Sequence, residues 1–197
     1  MNKKEDKTID KIISSALKSF HRGGYTATSL NDILKKTKLS KGALYHHFSN
    51  KKELGFAVVE KLKEGTENIW VEPLRNSTDP VAVINDILLT ADSKFECEGR
   101  MLGCPLNNLA QEMSLADEDF RECLAKVYTI WANAIVEAFE KAAKAGIMKK
   151  EINPRAAASF IIAVLSGGQG LAKVMNNSNE MNNCSKVLSQ FLSTLKK

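Results

Sequence analysis

Hydrophobic side chains recur along the chain at spacings of three and four, the repeat of an α-helix with one buried face. Ile9, Ile12, Ile13, Ala16, Leu17 and Phe20 form one such stripe. Gly23-Gly24 closes it, because glycine accepts the left-handed backbone that ends a helix. A short helix follows, with Thr28 or Ser29 as its cap, Asp32 placed to complete a capping box with Ser29, and Leu30, Ile33 and Leu34 as its inner face. A tight link, Thr37-Lys38-Leu39, leads to Ser40, which caps a helix carrying Leu44 and Phe48 inward. Asn50 caps a fourth, longer helix through Leu54, Ala57, Val58 and Leu62 that runs to near Trp70.

The pattern changes past Glu72-Pro73. Asp79-Pro80, a cap followed by a first-turn proline, opens a helix over Ile84, Ile87, Leu88, Ala91 and Phe95. Gly99 to Cys104 reads as a loop, and Pro105 starts a short helix to about Met113. Asp117 opens a long helix to Ala145 whose stripe includes Phe120, Leu124, Val127, Trp131, Ile135 and Phe139, and Gly146 stops it. Asn153-Pro154 opens another, through Phe160, Ile161, Leu165, Gly168 and Met175. The last helix carries Cys184, Leu188, Leu192 and Leu195. The expectation is an all-α chain of about nine helices with no strand. Only 4 prolines and 11 glycines in 197 residues agree with that class.

Charge is divided unevenly. Residues 1–63 hold 14 Lys+Arg against 6 Asp+Glu, whereas residues 64–197 hold 14 against 17. A basic head on a mildly acidic body fits a polyanionic partner. No unbroken apolar run of the 18–20 residues that span a bilayer occurs, and the N-terminal MNKKEDKTIDK lacks the apolar core of a signal peptide. The expected location is the cytoplasm, with no membrane partner. Cys97, Cys104, Cys123 and Cys184 make no CxxC pair and are expected as free thiols there.

Two short helices joined by three residues and docked on a preceding helix describe a helix-turn-helix. Its second helix, SKGALYHHF over residues 40–48, suits the major groove. Gly42 and Ala43 let the backbone approach base edges. Lys41, Tyr45, His46 and His47 offer hydrogen-bond donors, and Leu44 and Phe48 anchor the helix inward. Thr28, with Ser29, stands at the N-terminus of the preceding helix, where a phosphate is favoured. Lys51, at the start of the fourth helix, offers a second phosphate site.

Residues 25–54, YTATSLNDILKKTKLSKGALYHHFSNKKEL, resemble the DNA-binding domain of the TetR/AcrR family of bacterial regulators, and the likeness covers about residues 8–60. It implies backbone contacts from Thr28, Lys41, Tyr45 and Lys51. It places Gly42, Ala43 and His46 against bases or groove floor, and His47 at a phosphate. It further implies a reading head over 1–50, a connector over 51–72 and a ligand-binding and dimerisation domain over 73–197. The last two helices, residues 154–195, would pair two copies into a homodimer on a palindromic double-stranded DNA operator. A small-molecule effector would relieve repression, with no enzymatic activity and no cofactor. Two positions depart from the family pattern: Lys38 replaces a turn glycine, which predicts a differently shaped turn, and Lys52 replaces a common acid, which predicts extra positive charge near the DNA backbone.

Candidate effector residues are Phe95, Met101, Cys104, Asn107, Tyr128, Trp131 and Phe160, with Trp70 beside them. The alternative for the aromatic members is plain core packing. Cys104 lies in GRMLGCPLNNLAQEMS, just before a helix N-terminus and near Arg100, both of which lower a thiol pKa. It is a candidate electrophile sensor or simply a small buried residue. His46 and His47 are adjacent on a helix and point about 100° apart, so no metal site is expected. Gly167, Gly168 and Gly170 each weaken their helix by about 1 kcal/mol, a cost that close helix–helix approach would explain.

Overall fold

The computed structural model describes residues 3–90 and 96–197, with side chains from Lys7 onward. The chain folds into two units that interleave in sequence. The first runs to Glu64 and resumes over Pro105–Ala125, and the second holds Gly65–Cys104 and Lys126–Lys197.

In the first unit, α1 (Lys3–Gly23) buries Ile12, Ala16 and Phe20 and stops at Gly24, whose φ of 84° lets its N–H donate to the Phe20 carbonyl at 2.8 Å. α2 (Leu30–Thr37) opens on the expected capping box. The Asp32 N–H donates to Ser29 Oγ at 3.2 Å, and the Ser29 N–H donates to Asp32 Oδ2 at 3.0 Å. α3 (Lys41–His47) buries Leu44 completely, and α4 (Lys51–Thr66) buries Leu54, Val58, Val59 and Leu62. The turn between α2 and α3 keeps the left-handed conformation without glycine. Lys38 has φ 55° and donates its N–H to the Leu34 carbonyl at 3.0 Å. The expected change of turn shape is therefore absent, and the lysine backbone bears a strain of roughly 1 kcal/mol instead.

α7 (Pro105–Met113) buries Leu106, Leu109 and Met113 and packs on α1. Asp117 caps α8 (Glu118–Lys144) by accepting the Phe120 N–H at 3.2 Å. Phe120 then meets α4 where only glycine fits. A Cβ at Gly55 would stand 2.5 Å from Phe120 Cζ and 2.9 Å from Tyr25 Cε2.

In the second unit the helix of α4 continues as a π turn, Glu67–Val71, and α5 (Glu72–Arg75). α6 (Pro80–Leu88) is capped by Asp79, whose Oδ1 accepts the N–H groups of Val81 and Ala82 at 3.1 Å. α6 is shorter than its hydrophobic pattern predicted, and Ala91 and Phe95 lie outside the described residues. The stretch read as loop pairs briefly. β1 (Glu96–Cys97) and β2 (Arg100–Met101) form an antiparallel hairpin with Glu96 opposite Met101, turning through the positive φ of Glu98 and Gly99. α9 (Pro154–Met175) begins at an Asn153 cap and ends at Asn176 in the left-handed conformation, and α10 (Asn179–Thr194) packs along it. At Gly168 a Cβ would lie 2.9 Å from Met181 Sδ, so this glycine serves the α9–α10 contact. Counting α4, the π turn and α5 as one run, the described residues form nine helical segments.

By length and composition α9 is the one helix among the described residues apolar enough to cross a membrane, although glycine and serine interrupt its apolar run. It stands out because it is apolar on two faces. One face, with Ala158, Ile161 and Leu165, is buried, and the other exposes Phe160, Leu171, Val174 and Met175.

Candidate nucleic-acid interface

α3 exists because Ser40 supplies its cap, the Ala43 N–H donating to Ser40 Oγ at 3.1 Å, and because Leu44 and Phe48 pin one face inward. Its other face is left to solvent. Lys41, Gly42, Tyr45 and His46 are exposed, and Ala43 and His47 are half-buried beside them. Tyr45 is 44% exposed, which leaves its hydroxyl and ring edge open to a partner. The Lys41 ammonium lies 5.7 Å from its centroid. A Cβ at Gly42 would meet only Ser40 Oγ, at 4.0 Å, so no contact among the described residues requires this glycine. The histidine rings pack edge to face, with centroids 4.9 Å apart. The result is a slim face of cationic and hydrogen-bonding groups, the chemistry that phosphates and base edges select.

The flanking candidates are placed differently. Ser29 is exposed at the N-terminus of α2, its hydroxyl shared with Asp32 at 2.6 Å. Thr28 is buried, and its hydroxyl donates to the Gly24 carbonyl at 2.7 Å. Thr28 thus braces the loop after α1 rather than presenting a hydroxyl outward. Lys51 is half-buried. Its ammonium lies 4.4 Å from the Tyr25 ring centroid and donates to the Thr26 carbonyl at 3.1 Å, and burial lowers its pKa against the pull of Glu112. Lys52 does not add the free positive charge its sequence position suggested. It bonds to Asp117 at 2.7 Å and Asp119 at 2.8 Å, and these hydrogen bonds raise its pKa.

Glu112 carries no mark in the sequence pattern. From α7 it accepts the N–H groups of Tyr25 at 2.8 Å and Thr26 at 2.7 Å, two donors of the α1–α2 loop. Partial burial works against its charge, yet the bonds from Thr26 and Tyr25 and the nearby Lys51 hold its carboxyl below the ordinary value. No local signal could reveal a partner 86 and 87 residues away. Gly55 was equally silent, since its neighbour Phe120 is distant in sequence.

The effector candidates separate into groups. Trp131 is buried, its ring 5.0 Å from Trp70 and stacked at 6.2 Å on Tyr128. Burial pushes the Tyr128 phenol up to about 12, with a smaller contribution from Cys104 and an opposing hydrogen bond to Ser166. Met101 lies in the same buried cluster as Trp131 and donates its N–H to Asn176 Oδ1 at 3.0 Å. Phe160 does not join them. It is 45% exposed on α9, edge-on to Phe191 at 4.9 Å. Asn107 is half-buried on α7, in the first unit.

Comparison with known proteins agrees with this geometry. Residues 12–58 match the family model of bacterial regulatory proteins, tetR family, and residues 74–188 match the tetracyclin repressor-like C-terminal domain. The chain is 33% identical, over 87% of its length and 86% of the relative's, to an HTH-type transcriptional regulator in the lacX 3' region of Lactococcus lactis. It is 30% identical to the HTH-type transcriptional regulator LmrA of Bacillus subtilis, over 93% of this chain and 95% of that one. More distant relatives are named as a repressor or a negative transcriptional regulator. A TetR transcriptional regulator from Chloroflexus aurantiacus shares the fold, with a TM-score of 0.87 at 24% identity, covering 99% of this chain and 98% of that one. An outward cationic α3, a matched reading head and a matched rear domain lead to one conclusion: the chain belongs to the tetR family of bacterial regulatory proteins and is a helix-turn-helix transcriptional regulator.

Proposed function

We propose that the protein is a cytoplasmic, homodimeric repressor without enzymatic activity, which reads a near-palindromic operator through α3 and releases it when an effector binds. The observation that carries the DNA reading is the outward face of α3: Lys41, Gly42, Tyr45 and His46 stand exposed, and the fold itself needs none of their outer surfaces. Lys41 and Tyr45 hold phosphates, Gly42, Ala43 and His46 meet bases or groove floor, and His47 meets a phosphate. Ser29 and Ser40 bring two helix N-termini to the backbone. Thr28 and Lys51 act mainly by shaping the Tyr25–Thr28 loop, given where their polar atoms are bonded.

The outer face of α9 supports the dimer. Phe160, Leu171, Val174 and Met175 are exposed, and a Cβ at Gly167 or Gly170 would meet nothing within 4 Å. Two mid-helix glycines without an internal reason suit the close approach of a second copy, and a partner helix pair would cover the apolar side chains. Twofold pairing through residues 154–195 sets two α3 helices about one turn of DNA apart. Residues 1–50 serve as the reading head, 51–72 as the connector and 73–197 as the sensing and pairing domain. The effector, a small molecule or an electrophile, must bind the DNA-incompetent state more tightly, since equal affinity shifts nothing.

Gel-shift titration on the gene's own upstream region tests the DNA reading. Tyr45→Ala and Lys41→Ala should each weaken binding on the order of tenfold while sedimentation shows an intact dimer. Unchanged affinity in both variants would refute the docking. Comparing wild type with Cys104→Ser under an electrophile decides between thiol modification and reversible effector binding.

A further inference from the structure

Three buried polar atoms among the described residues have no hydrogen-bond partner there: Asn85 Oδ1, Trp131 Nε1 and Ser185 Oγ. A serine hydroxyl rotates and can bond to a carbonyl of its own helix. An asparagine amide can be turned over, exchanging oxygen for nitrogen. The Trp131 indole has neither freedom. It carries one rigid donor and no acceptor, and the residue is only 6% exposed. Such a group has given up its bond to water and gained none in return.

Its surroundings are aromatic. Trp70 lies 5.0 Å away with its ring tilted by 47°, and Tyr128 stacks at 6.2 Å and 29°. The upward shift of the Tyr128 phenol through burial marks a setting that opposes charge. Trp70 itself stands on the π turn Glu67–Val71, where the Glu72 N–H donates to the Glu67 carbonyl five residues back. A π turn holds one residue more than an α turn and occurs mostly as a single-turn bulge within an α-helix, frequently at functional sites. Relaxing it to α geometry rotates the side chains it carries, so Trp70 is a wall of the Trp131 site that can be moved.

We propose that Trp131, covered by Trp70 in this state, is the effector subsite, and that its ligand is a neutral, planar aromatic molecule bearing a hydrogen-bond acceptor at its edge. The inference rests on the proposed role as an effector-controlled regulator and names the ligand class. The ligand's ring takes the place of the Trp70 indole beside Trp131, and its acceptor accepts a hydrogen bond from the Trp131 Nε1–H. Trp70 moves out with the π turn. Only the state with Trp70 displaced binds the ligand, which supplies the differential affinity that regulation requires. A charged ligand is disfavoured because a buried aromatic setting solvates charge poorly, as the upward shift of the Tyr128 phenol shows.

The chain has two tryptophans, so its indole N–H groups give two resonances that Trp70→Phe assigns. The experiment titrates full-length protein, 15N-labelled at tryptophan, with 2-acetylnaphthalene, the same-shaped 2-ethylnaphthalene that lacks an acceptor, and the anionic 2-naphthoate. The ketone should bind about tenfold more tightly than the hydrocarbon, the gain of one hydrogen bond, and should move the Trp131 N–H resonance downfield. Naphthoate should bind most weakly. Trp131→Phe should erase the preference of ketone over hydrocarbon. Trp70→Ala should tighten both neutral probes by one common factor while keeping it. Equal affinity of ketone and hydrocarbon, a stationary Trp131 resonance, tighter binding of naphthoate, or no binding of either neutral probe would each overturn the assignment. Should Trp131→Phe not fold, the resonance of the wild-type protein decides alone. Gel shifts on the same samples keep the two levels apart: DNA binding without the probe preference sinks only the subsite, whereas loss of any sequence preference on DNA sinks the regulatory role.

Discussion

α3 and α9 each leave one face largely open to solvent among the described residues, and the chemistry of those faces is opposite. The outer face of α3 presents Lys41, Tyr45 and His46 around an unobstructed Gly42. The outer face of α9 presents Phe160, Leu171, Val174 and Met175, with Val174 82% exposed, around unobstructed Gly167 and Gly170. Small residues at the centre of both faces admit something closely. Side chains around them decide what: donors and cations suit the phosphates and base edges of a duplex, whereas apolar side chains suit a copy of the same helix. An unpartnered face thus states its partner through its rim more than through its centre.

The largest expected effect breaks the apolar side of this comparison. Leu171→Glu with Val174→Glu should convert the dimer to monomer in sedimentation and lower operator affinity on the order of hundredfold, because the second head loses its tether. A dimer that survives would mean α9 is covered by something else. Next in size is a pair of glycines in one unit. Gly55→Ala should cost about 1–3 kcal/mol in denaturant unfolding, because its Cβ meets Phe120 and Tyr25. Gly42→Ala should leave stability unchanged or slightly higher and weaken only DNA binding. The reverse ranking would show that the open space at α3 has been misjudged.

A smaller effect sharpens the cationic side. Lys41→Ala should reduce the slope of log affinity against log salt by about one, whereas Lys52→Ala should barely change it, since Asp117 and Asp119 already neutralise Lys52. The smallest is a pH effect. The carboxyl of Glu112 is lowered in the folded state, so the unfolded chain takes up its proton first. The stabilisation it gives is present above the unfolded value of about 4.3 and is lost as pH falls through the folded value. Glu112→Gln should therefore flatten the acid limb of stability below about pH 5, measured by denaturant unfolding across pH.

What could be read beforehand follows from the range of the interactions. Caps and stripes are local, so Ser29 with Asp32, Ser40 and Asp79 marked their helices correctly. The outer residues of α3 were legible for the same reason, since periodicity that assigns Leu44 inward assigns Lys41 and Tyr45 outward. The direction of the Thr28 hydroxyl was not legible, because it turns to Ser19 and Gly24, a loop closure that spacing does not encode. Lys52 was misjudged because its two acids arrive from the start of α8. Phe160 shares the helical stripe of buried residues yet stands at the surface, because α9 is apolar on both faces and periodicity does not rank them. The π turn left no mark at all: one extra residue in a helix is invisible to a pattern of threes and fours.

The most direct test of twin α3 heads on DNA is hydroxyl-radical footprinting of the purified protein on its own upstream region. The account predicts two protected half-sites related by a twofold axis, their centres about one helical turn or a little more apart, both lost together in Leu171→Glu with Val174→Glu. Uniform protection without preferred sequence, or a single half-site left intact in that variant, would contradict it.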